Sequence, residues 1–174
     1  MRDTVLPRAL GDATLGPQVL EIGPGYGPVT EIMSGSLAPH GGTLTCVELD
    51  PELASALASR FPAVTVARAD AARLPFADAR FSAAVCCTML HHVPTALHQD
   101  AILAEVRRVL RPGGVFTGSD SMDSDGRRAF HEGDVFNPVD PAGLATRLSA
   151  AGFADPVVAV HDGGDYFTFQ TRRR

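Results

Sequence analysis

Short apolar runs alternate with helix-length amphipathic segments along most of this chain. Val19–Ile22 is a compact strand candidate, followed by a helix near Pro28–Leu37 that closes at Pro39 and the Gly41-Gly42 turn. Thr43–Glu48 reads as a second strand. Asp50-Pro51 then offers an N-cap acid and a proline at the first helical position, and Leu53, Leu57 and Phe61 share one helical face. Val64–Arg68 and Ala83–Cys87 are the third and fourth strands. Thr95–Leu110 gives the clearest helix, with Ile102, Val106, Val109 and Leu110 on one stripe and Pro112-Gly113-Gly114 as its stop. Val115–Gly118 is a fifth strand. Asp140-Pro141 repeats the capping device ahead of Leu144, Leu148 and Ala151. Val157–Val160 and Tyr166–Gln170, separated by Asp162-Gly163-Gly164, read as a closing hairpin.

This alternation predicts an α/β fold: a single Rossmann-like, doubly wound, mostly parallel seven-stranded sheet with a C-terminal antiparallel hairpin. No repeat or linker interrupts the pattern, so residues 1–174 are expected to form one domain with its core over about 18–171. A hydrophobic fraction of 45% and a charged fraction of 20% fit an ordinary soluble domain. The net charge of −5 and the absence of any lysine argue against a nucleic-acid partner, and Arg172–Arg174 reads as a frayed, solvated terminus. No apolar run reaches the roughly 20 residues that span a bilayer, and Met1–Asp12 lacks the apolar core of a signal peptide. No membrane association and a cytoplasmic location are therefore expected. Cys46, Cys86 and Cys87 form no CxxC pair and fall inside strand-like runs; they read as buried free thiols, and no metal site is expected.

The chemistry concentrates at the ends of the predicted strands. Val19–Tyr26 and Gly27, VLEIGPGYG, is a buried strand running into glycines at 23, 25 and 27, a turn against which a ligand can lie where a Cβ would clash. Glu48 ends the second strand and Asp70 the third. In a doubly wound sheet an acid about 20 residues beyond the glycines takes both ribose hydroxyls, and Glu48 is the choice for that contact. Asp50 is better explained as a helix cap. Asp70 is placed to accept from an adenine amine, with the Ala71 amide as a neighbouring donor. A dinucleotide fingerprint needs GxGxxG; here the third glycine comes one residue early and Pro28 stands in its place. No P-loop lysine follows. The loop suits a ligand with ribose and adenine but no phosphates.

These motifs together resemble the class I S-adenosylmethionine-dependent methyltransferases of the small-molecule, methyltransferase domain 11 type. Residues 19–27 are similar to the family's first motif, Val47-Glu48-Leu49-Asp50 to its ribose-binding strand end, and Ala69-Asp70-Ala71 with Leu74-Pro75-Phe76 to its adenine segment. Phe81–Val93 resembles the fourth motif, and Leu103–Gly114 the helix-turn entry to the fifth strand. The resemblance implies S-adenosylmethionine as cofactor, S-adenosylhomocysteine as product, and methyl transfer to a small-molecule acceptor. It implies that Glu21, Gly23 and Gly25 hold the methionine end with the backbone near Cys87, and that Gly27, Glu48, Leu49, Asp70 and Ala71 complete the cofactor site.

Methyl transfer from a sulfonium needs positioning and exclusion of water, with a proton acceptor for some nucleophiles. His91 and His92 follow the fourth strand and are the catalytic candidates; either could equally pack as a helix-start histidine. His131 lies in the loop after the fifth strand, while His40, His98 and His161 look like surface residues. Ser121–Glu132 mimics a calcium loop at several positions, but Ser121 holds position one and Arg128 the hydrophobic eighth; a mobile acidic loop beside the pocket is the better account. No covering N-terminal helices and no lid-sized insertion after the fifth strand are expected, so the pocket would be open, be covered by a homodimer partner, or admit a bulky substrate. The missing Asn-Pro-Pro-Tyr type of motif argues against amide methylation. The alternative reading is a non-catalytic cofactor-binding protein or partner subunit; a nicotinamide oxidoreductase is disfavoured by Pro28.

Overall fold

The computed structural model describes residues 5–11, 14–161 and 163–174; Asp162 of the predicted hairpin turn lies outside the described residues. Seven strands form one sheet: β1 (Gln18–Ile22), β2 (Thr43–Glu48), β3 (Thr65–Arg68), β4 (Phe81–Cys87), β5 (Leu110–Ser121), β6 (Phe153–Val160) and β7 (Tyr166–Arg173). Their order is β3-β2-β1-β4-β5-β7-β6. The first five run parallel, and β7 lies antiparallel between β5 and β6. The expected Rossmann-like sheet with an antiparallel end is what the chain forms. The helices are α1 (Val5–Leu10), α2 (Pro28–Leu37), α3 (Pro51–Arg60), α4 (Ala96–Val109), α5 (Asp125–Phe130) and α6 (Pro141–Ala150). None is long and apolar enough to cross a membrane.

Side chains alternate across the pleat, so consecutive strand residues feed two separate cores. Val19, Ala83, Val85 and Val115 pack with Leu6 of α1 and with Val29 and Met33 of α2. Leu20, Ile22, Ala84, Cys86 and Phe116 pack on the other side with Ile102, Leu103 and Val106 of α4 and Leu144 and Leu148 of α6. Phe116 meets the rings of Phe169 at 5.0 Å and Phe153 at 5.6 Å, which ties the antiparallel end into this second core. Two helix caps are those the sequence announces, Asp50 accepting from the Glu52 and Leu53 amides and Asp140 from Ala142; Thr95 adds a third by accepting from His98. All three cysteines are buried and free.

The structure adds one element and corrects other expectations. A short helix, α1, precedes β1, with Leu6 and Ala9 buried against β5 and β7. Its two buried residues are too few to show a helical period in sequence. Arg172 and Arg173 are not frayed: they pair with Val115 and Phe153 in β7, and the Arg173 guanidinium donates to the Arg108 carbonyl at 2.9 Å and to that of Leu110. Long arginine stems lie along a sheet end while their heads stay wet, so composition alone hides the strand. Residues 121–132 are not a mobile loop, since Ser121 ends β5 and Ser124 caps α5, whose Arg128 pairs with Asp123. Residues 122–140 also fold back onto the segment that follows β4. Asn137 donates its amide to the His91 carbonyl at 2.7 Å and its side chain to Val93 at 3.0 Å, while Gln99 donates to the carbonyls of both Leu90 and Asn137 at 2.9 Å.

Candidate functional site

A cavity of about 870 Å3 opens at the carboxyl ends of β1, β2 and β4. It lies where the strand order reverses between β1 and β4, the crevice in which doubly wound sheets hold their ligands. Of the nine residues expected to hold a cofactor, Glu21, Gly23, Gly25, Glu48, Leu49, Asp70, Ala71 and Cys87 line it; Gly27 does not.

The three glycines serve three different purposes. All have positive φ, but a Cβ on Gly23 would strike Met89 at 2.1 Å, and one on Gly27 would strike Leu57 of α3 and Phe61 just after it at 2.8 Å. Only at Gly25 would a Cβ meet nothing within 4 Å. Of the three, only Gly25 would project a Cβ into open space, and Gly27 is a packing glycine that also stands at the N-cap of α2. Arg60 holds the loop from α3, donating to the Tyr26 carbonyl at 3.0 Å.

Glu48 is buried and fixed by the loops on either side of it. Its Oε2 accepts from the Gly25 amide at 3.1 Å and its Oε1 from the Asp50 amide at 3.0 Å. An ionised carboxylate has about four acceptor positions, so these two bonds set its orientation and leave two for a ligand. Glu21 lies deeper. Its Oε2 accepts from the Thr30 hydroxyl at 2.7 Å and the Cys46 thiol at 3.3 Å. Burial pushes its pKa up to about 7 against the lowering effect of those two donors.

Asp70 caps a single 3-10 turn, Ala71–Arg73, accepting from the Ala72 amide at 2.9 Å. The same carboxylate faces His98 Nε2 at 3.1 and 3.2 Å. Burial opposes its charge, but the Ala72 amide and the His98 imidazole outweigh it and hold the carboxyl below its ordinary value. His98 is thus no bystander at the surface; it lines the cavity. Its sequence signal is only that the first turn of α4, once capped by Thr95, must sit at the carboxyl edge. The segment that follows Asp70 is strapped to α4 by Arg108, which donates to the Leu74 and Phe76 carbonyls at 3.0 and 2.8 Å and pairs with Asp78 and Glu105. Glu105 in turn accepts from the Leu74 amide at 2.8 Å. Thr88, which lines the cavity after β4, has φ +51, a left-handed conformation uncommon for a β-branched residue.

The two candidate histidines separate. His91 is buried behind the cavity wall, with its amide 3.2 Å from Asp120 Oδ2 and its Nδ1 bonded to Oδ1 of the same carboxylate. His92 faces the cavity and places Nδ1 3.5 Å from Asp134, which also lines it. Burial, then the neighbouring His91, holds the His92 imidazole below its usual range, with Asp134 acting the other way. His131, at the end of α5, stacks on Phe136 and lies beside both. Sequence spacing gave no hint of this grouping, because it depends on how residues 122–140 fold back.

The lining carries five carboxylates (Glu21, Glu48, Asp50, Asp70 and Asp134) and, among the described residues, no arginine. Such a site attracts a cationic ligand and repels a pyrophosphate.

The chain belongs to the methyltransferase domain family, which matches residues 20–117. It is 35% identical over 107 residues to phthiotriol/phenolphthiotriol dimycocerosates methyltransferase of Mycobacterium tuberculosis, covering 60% of this chain and 38% of that protein. Over 108 residues it is 32% identical to fatty-acid O-methyltransferase of Mycolicibacterium smegmatis, covering 61% and 38%. The chain spans about two fifths of the length of these curated relatives. Its fold is similar to that of Haemonchus contortus phosphoethanolamine N-methyltransferase 2, solved in complex with S-adenosyl-L-methionine, with a TM-score of 0.78 at 15% identity over 97% of this chain and 51% of that one.

Proposed function

We propose that this chain is an S-adenosylmethionine-dependent methyltransferase acting on a small-molecule acceptor, with S-adenosylhomocysteine as the product. The observation that carries the reading is the set of five carboxylates, with no arginine among the described lining residues, around the Gly25 backbone. A ligand bearing a sulfonium and an ammonium finds compensation there that a phosphorylated dinucleotide does not. The residues fit the cofactor: Glu48 keeps two acceptor positions for a ribose diol, Asp70 and Ala71 stand at the adenine side, and Glu21, Gly23, Gly25 and Cys87 surround the methionine end. When bound, the cofactor supplies a methyl group on an already activated carbon.

The chain's own contribution is then to bind, orient and exclude water. His92 faces the cavity and is the candidate to accept a proton from the acceptor as long as its ring carries no other ligand. His91 and Asp120 act behind it as positioning residues. The names of the curated relatives, a dimycocerosate and a fatty-acid methyltransferase, favour a lipid-like acceptor carrying an oxygen nucleophile. The strongly exposed Phe130 beside His131 offers such an acceptor apolar surface. By the same reading the protein works in the cytoplasm without a nucleic-acid partner.

The test is equilibrium binding of S-adenosylmethionine, S-adenosylhomocysteine and NADH, followed by incubation with methyl-labelled cofactor and a metabolite extract, read by mass spectrometry. Binding of the first two and a labelled product are expected. Tight NADH binding without affinity for S-adenosylhomocysteine overturns the reading; cofactor binding with no labelled product from any extract makes the chain a non-catalytic binder.

A further inference from the structure

We propose that His91, His92 and His131 form a divalent transition-metal site, best suited to zinc, at the wall of the acidic cavity. One ring nitrogen from each histidine lies within 4.8 Å of one from each of the others. The ring centroids are 4.2, 5.1 and 5.2 Å apart. Three imidazoles on a zinc ion at about 2.0–2.1 Å, in tetrahedral geometry, have nitrogens about 3.4 Å and ring centres about 5 Å apart. Two of the three ring-centre distances match that spacing and the His91–His92 pair is closer, so a metal would need small ring rotations that bring the nitrogens together by up to about 1.4 Å.

The surroundings of the rings point the same way. Each imidazole turns Nδ1 toward an oxygen: His91 toward Asp120, His92 toward Asp134 at 3.5 Å, and His131 toward the Arg127 carbonyl at 2.8 Å. Among the described residues, no Nε2 of the three makes a hydrogen bond. Outer oxygens on one ring nitrogen and a free second nitrogen are the arrangement that metal-ligating histidines show, because the outer bond fixes the tautomer and the ring plane. A packing role alone explains why the rings touch. It does not explain why two of the rings bond an oxygen through Nδ1 and the third turns Nδ1 toward a carboxylate, all three leaving Nε2 unspent. Phe136 stacks on His131 at 4.6 Å and shields the group from one side.

Neutral nitrogen ligands suit zinc, copper, nickel and iron(II) rather than calcium or magnesium. Three protein ligands leave a coordination position open, as in catalytic rather than structural zinc sites. His92 and Asp134 also line the cavity, so that position faces the space beside the proposed methyl donor. It would take an anionic oxygen of the acceptor. This last point rests on the methyltransferase reading; the metal site itself does not.

The experiment is titration of tag-free, chelator-treated protein with cobalt(II), followed by visible absorption and by elemental analysis for bound metal, in the absence of any cofactor. One cobalt per chain with tetrahedral or five-coordinate d–d bands is expected, and thiocyanate should shift those bands by entering the open position. His131→Ala and His92→Ala should each weaken cobalt binding at least 100-fold, and Asp120→Asn about 10–100-fold through the His91 ring. His40→Ala, at an exposed site away from the cluster, should leave binding unchanged. Should His131→Ala not fold, His92→Ala at the cavity surface carries the same comparison. Absence of stoichiometric cobalt binding, or a folded His131→Ala or His92→Ala protein that binds cobalt as the wild type does, overturns the site; a spectrum indifferent to thiocyanate overturns its open position. Failure of S-adenosylmethionine binding would overturn the function reading and leave these metal measurements as they are.

Discussion

Glu48 accepts the Gly25 amide at 3.1 Å across a gap of 23 residues, so the glycine turn and the second strand end are one unit. Replacing Glu48 by alanine removes both the ligand contact and the bond that orients the turn. Cofactor affinity should fall by about 1–3 kcal/mol, or roughly 5- to 150-fold, because ribose hydroxyls are left unpaired in a buried site. Calorimetric titration with S-adenosylhomocysteine measures it; an unchanged dissociation constant would mean that the diol is held elsewhere.

Gly25 and Gly27 should respond differently to the same alanine substitution. Gly25→Ala adds a methyl group to open space at φ +55, a strain of about 1–2 kcal/mol, and should impair cofactor binding far more than stability. Gly27→Ala meets Leu57 and Phe61 at 2.8 Å with φ +78, and should lower the melting temperature more while the surviving folded protein still binds. Melting curves and binding isotherms on both variants decide it.

Glu21 titrates near pH 7 in the folded chain but near its ordinary 4.5 when unfolded. Between those values the native state holds the extra proton, so the contribution of Glu21 to stability falls as pH rises from about 4.5 to 7 and stays low above. Glu21→Gln should therefore be more stable than the wild type at pH 8, by up to about 3 kcal/mol, with the gain shrinking below about 1 kcal/mol at pH 5. Denaturant melts at the two pH values test this. A cationic cofactor favours the ionised form, so wild-type affinity for it should rise between pH 6 and 8, and the variant should lose that trend.

Arg108 straps residues 74–78 to α4 through two carbonyls and two carboxylates. Arg108→Ala strands those groups and should cost about 2–3 kcal/mol, with the partial exposure of the site holding the loss to that range. Hydrogen exchange should quicken over residues 71–80 well before the sheet is affected. Uniformly faster exchange throughout the chain would show that the strap is part of the global core.

Much of the sheet was legible because its strands are short apolar runs bounded by Asp-Pro caps and glycine turns, as at Asp50-Pro51 and Asp140-Pro141. The acids of the cavity were legible because strand ends in this topology converge, and Glu48 needs only its position to be found. Other features depend on distant partners. Nothing near Gly27 in sequence shows that α3 will occupy its missing side chain, and nothing near His98 shows that Asp70 will face it. DGRRAF has too little apolar content to reveal α5, and the arginines of β7 mask the last residues of a strand whose earlier part is legible.

The position of β7 has a consequence for how the molecule comes to be made. This strand, drawn from residues 166–173, fills the slot between β5 and β6, and its Phe167 and Phe169 are buried there. During vectorial synthesis β5 is therefore left with a bare hydrogen-bonding edge from Val115 to Ser121 until nearly the whole stretch described here has emerged. Such a late, long-range closure slows folding and keeps a sticky edge exposed to other chains in the meantime. Truncations that remove a few residues at this end should yield insoluble protein rather than a slightly smaller soluble one.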